Sequence, residues 1–362
     1  MNRIRAVHQF LPSLMMADAI SNHARLLRNF FIGLGYSSSI YTSDADKESE
    51  KERLPYTAYA PDKSDAVFYH HSIGCFMTEY LALLDCTKIL IYHNITPPAF
   101  FERYNREMTY IVRKGRSDLV ALKGQFVASL CDSVYNMREL EQIGYSNLYT
   151  IPISFDDGRL DIDPDESILK SYNDQDINML HVGRIVPNKR ITDLIKTFFY
   201  YHKYINKCSR LFIVGEINPA FNVYIKEVQF LIDYLGLNDK VVMPGKVSDS
   251  QLRSYYELAH IYMSMSEHEG FCVPLLEAMH HKIPIVAYKS TGITELLNGA
   301  GILFTKKDYP RIAELVHIAV TDDTLRKELI EAQFKRLLFF SPESIKQKLT
   351  HVLHFLGRDG SN

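Results

Sequence analysis

Residues 178–204 read NMLHVGRIVPNKRITDLIKTFFYYHKY. The first five residues, 178–182, have the apolar run of a short buried strand, and 191–204 carry apolar residues at helical spacing. Gly183 sits where the strand hands over to the helix. A strand, a glycine-bearing loop and a helix in that order form the repeating unit of a doubly wound parallel sheet. Working outward, the same alternation continues. Strands are expected at 210–214, 240–243, 261–264, 285–287 and 302–304, and helices at 221–235 and 251–259. Upstream, strands are expected at 4–10, 37–41, 66–69, 88–92 and 133–135. Asp18 can cap a helix with Ile20, Leu27, Phe31 and Leu34 on its apolar face and Gly35 as its stop. A second short helix ends at Gly144.

Between the two alternating halves, 156–176 breaks the rhythm. Asp156, Asp157, Asp161, Asp163, Asp165, Glu166, Asp174 and Asp176 crowd a stretch with few apolar residues. Such a run reads as a solvated connector. The expected fold class is therefore α/β, with two Rossmann-like doubly wound domains at 1–175 and 176–341. A closing helix at about 342–362 returns to the first domain, and ligand binds at the carboxyl ends of the strands.

Bulk properties agree. A chain of 362 residues suits two domains, and 46% hydrophobic with 23% charged residues is an ordinary globular balance. Forty-one basic against forty-three acidic side chains argue against a nucleic-acid partner. No stretch is long and apolar enough to span a membrane. The five cysteines are scattered without a C-x-x-C pair, which points to a reducing cytoplasm rather than to disulfides or a zinc site.

Two constellations carry chemistry. Glu269-Gly-Phe-Cys-Val-Pro-Leu-Leu-Glu277 places two glutamates around a helix start, with Pro274 in the first turn. The reading puts Glu269 on a loop and Glu277 in that first turn, converging on a ligand rich in hydroxyls. N–H groups around Gly270, Phe271, Cys272 and Val273 add an anion site. The plainer alternative is a surface glutamate and a dipole-complementing one. In His181-Val-Gly183-Arg184-Ile-Val-Pro187-Asn188-Lys189, Arg184 and Lys189 follow the strand and can clamp a diphosphate without metal. The alternative is two solvated loop cations.

Taken together, these segments resemble the retaining glycosyltransferases of the GT-B fold, in their glycogen-synthase-like and mannosyltransferase-like branch (group 1, family 4). The resemblance also covers Val214-Gly215-Glu216, Met243-Pro-Gly245-Lys246-Val247 and Ile285-Val-Ala-Tyr-Lys-Ser-Thr-Gly292. It implies two domains facing a central cleft, a diphosphate clamp at Arg184 and Lys189, and a transferred sugar against Glu269. It further implies a ribose on Glu277, a base pocket at Lys246 and Val247, and donor contacts at Gly183, Gly270, Phe271, Cys272 and Leu275. In the first half, His8-Gln-Phe10, Asp18 to Asn22 and Tyr92-His93 look like the mannosyltransferase pattern, which implies that His93 faces the donor sugar. His70 and His71 end another strand and read more simply as satisfied core residues. The glycine-rich loop of the family is replaced by Leu14-Met15-Met16-Ala17.

The resemblance thus implies a metal-independent hexosyltransferase with no resident cofactor. Its donor would be a nucleotide-diphosphate sugar, GDP-mannose before a UDP-hexose, and its acceptor a glycan or lipid-linked glycan of cell-surface polysaccharide synthesis. The alternatives are a nucleotide-sugar epimerase, a phosphorylase or a non-catalytic binding subunit on the same fold. Metal is not expected. Asp44-Ala-Asp46, Asp161-Ile-Asp163, Asp163-Pro-Asp165 and Asp174-Gln-Asp176 read as linker chemistry outside buried strands. A basic amphipathic segment at 100–126, with Arg103, Arg106, Arg113, Lys114, Arg116 and Lys123, reads either as an ordinary solvated helix or as a peripheral contact with an anionic membrane surface.

Overall fold

The structure, a computed structural model, describes residues 4–16, 18–155, 158 and 160–358. They form two compact units. The first gathers the described residues of Met1–Ala99, Arg106–Ser154 and Pro342–Asn362, and the second those of Phe100–Asn105 and Phe155–Ser341.

The first unit is built on strands β1 (Ala6–Leu14), β2 (Ile40–Ala45), β3 (Arg53–Pro55), β4 (Asp65–His71), β5 (Thr87–Tyr92), β6 (Ala128–Cys131) and β7 (Leu148–Thr150). Helices α1 (Ala19–Gly33), α2 (Met77–Ala82), α3 (Arg106–Ala121) and α4 (Val134–Ile143) connect them. The sheet runs β3-β2-β1-β4-β5-β6-β7, with every pairing parallel. Asp18 does cap α1, its carboxylate accepting from the Ser21 N–H at 2.9 Å. The strand expected at 133–135 lies earlier. Ser133 is the cap of α4, its hydroxyl accepting from the Asn136 N–H at 3.2 Å, and the apolar run 128–131 is the strand.

The second unit starts with α5 (Glu166–Ser171) and continues β8 (Ile177–Val182), α6 (Ile191–Tyr200), β9 (Ser209–Val214), α7 (Asn222–Tyr234), β10 (Val241–Gly245) and α8 (Asp249–Leu258). It then runs β11 (Ile261–Ser264), α9 (Val273–His280), β12 (Ile285–Tyr288), α10 (Thr291–Leu297), β13 (Ile302–Phe304), α11 (Tyr309–Thr321) and α12 (Asp323–Leu338). Its sheet order is β10-β9-β8-β11-β12-β13, again all parallel. The order reverses between β8 and β11, and ligands of open α/β sheets bind outside the strand ends at such a reversal. The last helix, α13 (Pro342–Arg358), belongs to the first unit, where Ile345, Leu349 and Val352 enter the core formed by Val7, Phe31, Phe68 and Ile91.

The units divide between 154 and 155, about twenty residues before the boundary expected from the acidic run. Part of that run is structural rather than solvated. Asp165 caps α5, and its N–H donates to Ser254 Oγ on α8 at 2.7 Å. Asp174 and Asp176 pair with Arg210 at 2.6 and 3.3 Å, and Asp176 also with Lys240 at 3.0 Å. Asp156 and Asp157 lie outside the described residues.

Candidate active site

The site is built where β8 and β11 end side by side. Leaving β8, the chain passes Gly183 and Arg184 and makes one tight turn over Pro187–Lys189. Leaving β11, it runs through Ser266, His268 and Glu269 to α9. The two loops are stitched together. The Glu267 N–H donates to the Asn188 carbonyl at 2.9 Å, and Asn188 Nδ2 donates to the His268 carbonyl at 3.0 Å. A third segment holds the second loop from behind. Thr291 Oγ1 accepts from the Glu269 N–H and donates to the Glu269 carbonyl, both at 2.8 Å, and Ser290 Oγ donates to the Ser266 carbonyl at 2.7 Å.

Two glycines set these approaches. A Cβ on Gly215, whose φ is +151°, would stand 2.1 Å from the Gly183 carbonyl oxygen. A Cβ on Gly292 would stand 2.4 Å from the Gly270 carbonyl oxygen. Any larger residue at either position pushes one loop off its neighbour.

Lys189 Nζ donates to Glu269 Oε1 at 2.6 Å, and both side chains are nearly buried, 13% and 9% exposed. Burial pushes the Glu269 carboxyl up, but the Lys189 charge and hydrogen bond, with Ser266, outweigh it and hold the carboxyl below its usual range. Beside the pair lies buried His181, with Nδ1 donating to the Met263 carbonyl at 2.9 Å. Burial, with Lys189 nearby, pulls its pKa down to about 4, so the ring is neutral. Arg184 is exposed, and its side chain pairs with no other described residue. Glu277 is buried, with Oε2 accepting from the Tyr256 hydroxyl at 2.6 Å.

Several expected residues are placed differently from their reading. The helix α9 begins at Val273 after Cys272, so Glu277 is in its second turn rather than its first. Cys272 takes a left-handed conformation with φ +84° and caps α9 with no side-chain hydrogen bond. In the following turn Pro274 has no N–H, so only Val273, Leu275 and Leu276 carry donors. Leu275 has already used its donor. Its N–H donates to the Cys272 carbonyl at 3.1 Å, and its side chain is fully buried. Phe271 is also buried and packs edge-on against Phe340. Lys246 and Val247 follow the end of β10, at the sheet edge, with Lys246 exposed.

In the first unit, the His93 ring is buried, with Nδ1 2.8 Å from Asp132 Oδ2 and Nε2 2.9 Å from His70 Nδ1. Its side chain thus engages the unit's interior. His71 is satisfied by the Tyr69 hydroxyl and the Gly115 carbonyl, each at 2.9 Å. The glycine-free loop after β1 is held by side chains. Met15 N–H donates to Ser21 Oγ at 3.0 Å, and Met16 N–H to Asp46 Oδ2 at 2.7 Å. Ala17 lies outside the described residues. Asp44-Ala-Asp46 falls at the exposed end of β2, where Asp44 Oδ1 accepts from the Ala45 N–H and the Asp46 carboxylate accepts from the N–H groups of Ser49 and Met16. In the basic segment, Arg103 pairs with Glu227, Lys114 with Glu79 and Asp118, and Arg116 with Glu139.

Sequence reasoning missed the polar cluster beneath the two loops. Lys307 Nζ donates to Asp193 Oδ2 at 2.8 Å and to Glu267 Oε1 at 2.6 Å. Arg190 bonds Asp193 at 2.9 Å, and the Tyr309 hydroxyl donates to Asp193 Oδ1 at 3.0 Å. Burial raises the Asp193 carboxyl, yet Lys307 and Arg190 together hold it below its ordinary range. Only the i,i+3 pair Arg190–Asp193 was within reach of local reading.

Comparison with known proteins shows what these features resemble. Residues 165–336 match the family model "Glycosyl transferases group 1". Over 152 residues the chain is 29% identical to the capsular polysaccharide biosynthesis glycosyltransferase CapM of Staphylococcus aureus, covering 41% of this chain and 38% of that protein. Over 165 residues it is 24% identical to the serotype-specific mannosyltransferase WbdA of Escherichia coli, covering 45% and 20%. The aligned stretch thus spans well under half the length of either relative. Solved structures match nearly the whole chain. HepE of Anabaena, in complex with UDP and glucose, superposes with a TM-score of 0.75 at 17% identity, over 97% of this chain and all of that one (100%). Sucrose-phosphate synthase of Thermosynechococcus elongatus gives 0.77 at 15% identity, over 98% and 100%. No helix among the described residues is long and apolar enough to cross a membrane. Both units are thus built on the parallel sheets of the GT-B fold, and the second resembles the glycosyl transferases group 1 through residues 165–336.

Proposed function

We propose that the chain is a retaining glycosyltransferase that moves a hexose from a nucleotide-diphosphate sugar to a glycan or glycolipid acceptor in cell-surface polysaccharide synthesis. The single observation that carries this reading is the Lys189–Glu269 pair at the reversal between β8 and β11, beside the start of α9. Lys189 has three N–H donors. One serves Glu269, leaving others for a phosphate oxygen. Arg184, exposed and without a partner among the described residues, supplies the second cation.

In this reading the diphosphate lies against Arg184, Lys189 and the N–H groups from Gly270 to Val273, without a divalent ion. Glu269 accepts from hydroxyls of the transferred sugar, and Glu277, steadied by Tyr256, from the ribose. The base lies toward Lys246 and Val247. As the anomeric C–O bond breaks, negative charge grows on the leaving phosphate and falls on donors already in place, a term that often dominates catalysis. The acceptor hydroxyl attacks from the same face and loses its proton to the departing phosphate. The first unit takes the acceptor.

For the donor, GDP-mannose is the first choice, supported by the relatives named as mannosyltransferases. UDP-glucose is the second, supported by the HepE structure solved with it. Thermal unfolding with GDP, UDP and their hexose conjugates tests both. The reading expects a midpoint rise with one base and its sugar, and transfer of that sugar at a rate unchanged by added Mn²⁺ or Mg²⁺. No rise with any of them rejects the donor site, and dependence on the added ion rejects the metal-free clamp.

A further inference from the structure

Inside the first unit, His23 of α1, His70 of β4 and His93 after β5 face one another. One ring nitrogen from each lies within 4.8 Å of the other two. All three are buried. What surrounds them favours one set of tautomers. Asp132 Oδ2, at 2.8 Å, accepts a hydrogen bond from His93 Nδ1–H, which in the neutral ring leaves His93 Nε2 as a bare lone pair. Gln9 Oε1, at 3.0 Å, accepts from His70 Nε2, which leaves His70 Nδ1 bare as well. These two bare nitrogens stand 2.9 Å apart. Two lone pairs repel at that distance unless a proton or a metal ion is shared between them. Next to them, neither ring nitrogen of buried His23 has a hydrogen-bond partner among the described residues. A buried polar group left this way is a standing cost and calls for an explanation.

We propose that His23, His70 and His93 form a binding site for a divalent first-row metal ion, with Zn²⁺ as its natural occupant. Neutral imidazoles without thiolate or carboxylate ligands suit zinc. Tetrahedral Zn–N bonds of about 2.0–2.1 Å put ligand nitrogens about 3.3 Å apart. The His70–His93 pair opens by a few tenths of an ångström to reach that, and the His23 ring swings in. The outer partners are those a metal site requires. A carboxylate on one ligand and an amide oxygen on another fix the ring tautomers and raise their basicity. The ion would join α1 to the ends of β4 and β5, a structural role independent of donor binding in the second unit.

Two other arrangements satisfy His70 and His93 with no ion. Reversing the Gln9 amide lets His70 Nδ1 donate to His93 Nε2, or a second ring proton on His93, balanced by Asp132, lets Nε2 donate to His70 Nδ1. Both leave His23 unsatisfied. Metal content separates them from the metal site without any turnover assay, so its failure leaves the transferase reading untouched. Tag-free protein made in zinc-supplemented medium and washed with EDTA while folded should retain about one Zn²⁺ per chain by elemental analysis, because a buried ion is taken up with folding. Protein made with Co²⁺ should show the intense visible absorption of a tetrahedral site. His23→Leu, folded by circular dichroism, should lose both. Should that variant not fold, the wild-type Co²⁺ spectrum decides alone. Metal-free wild type, a weak octahedral Co²⁺ spectrum, or a folded His23→Leu that keeps its zinc would each overturn the site.

Discussion

Lys189 and Glu269, eighty positions apart in the chain, meet in a 2.6 Å charge-assisted hydrogen bond at the ends of two adjacent strands. The pair is nearly buried, so each charge depends on the other. Removing only Lys189 leaves a carboxylate unpaired in a dry site, which costs about 3–5 kcal/mol. Lys189→Ala should therefore lose stability as well as transfer. The double variant Lys189→Met with Glu269→Gln should regain most of the stability in urea unfolding while transfer stays lost. Recovery of transfer in the double variant would make the pair structural only.

Glu277 offers a milder test. Tyr256→Phe removes the hydroxyl that donates to Glu277 Oε2 and keeps the ring stacked on His281. A hydrogen bond to a charged group is worth about 1.5–3 kcal/mol. The variant should stay folded with a lower thermal midpoint, and its KM for the donor should rise more than kcat falls. An unchanged donor KM would separate Glu277 from the ribose.

Backbone fit in the second unit admits a test without substrate. Gly215→Ala places a methyl group 2.1 Å from the Gly183 carbonyl oxygen, and Gly292→Ala one 2.4 Å from that of Gly270. Both contacts are with backbone, which cannot swing aside. Each variant should lose several kcal/mol in urea unfolding, about the range of the severe core substitutions. Gly236→Ala, which meets nothing within 4 Å although its φ is +66°, should lose less.

Acid should act in two stages. Burial, first of all, pulls the pKa of His181 and of His281 down to about 4. Their unfolded value is about 6.5, so the unfolded chain binds protons first and stability falls as pH drops from about 6.5 toward 4. Glu269 and Asp193, held below the usual carboxylate range by their cationic partners, keep their contribution above about pH 4 and lose it below. Urea unfolding between pH 7 and 3 should show both declines. His281→Phe should flatten the first, and Asp193→Asn the second.

Much of this architecture is readable from short patterns. Asp18 and Gly35 bracket α1 as expected, and the strand at 177–182 opens the second sheet. The errors have physical causes. Ser133 has extended backbone like a strand residue, but its side chain caps a helix. The three-residue strands β3 and β7 are sheet edges, too short for a period to show. Asp174 and Asp176 look solvated in sequence because Arg210 and Lys240, which neutralise them, arrive 34 or more positions later. The same distance hides the cluster of Asp193, Glu267 and Lys307, and the meeting of His23 with His70 and His93. The places of Glu269, Glu277, Arg184 and Lys189 in the fold are legible because a helix start and a strand end each announce themselves locally.

Arg184 carries the central claim most cleanly, since its side chain is exposed and bonds no other described residue. Its removal should leave stability within about 0.5 kcal/mol. Calorimetric titration of wild type and Arg184→Ala with GDP and with UDP is the decisive measurement. The account predicts that wild type binds one of them and that Arg184→Ala binds it at least tenfold more weakly with an unchanged thermal midpoint. Wild type that binds neither, or a variant that binds as tightly as wild type, would contradict it.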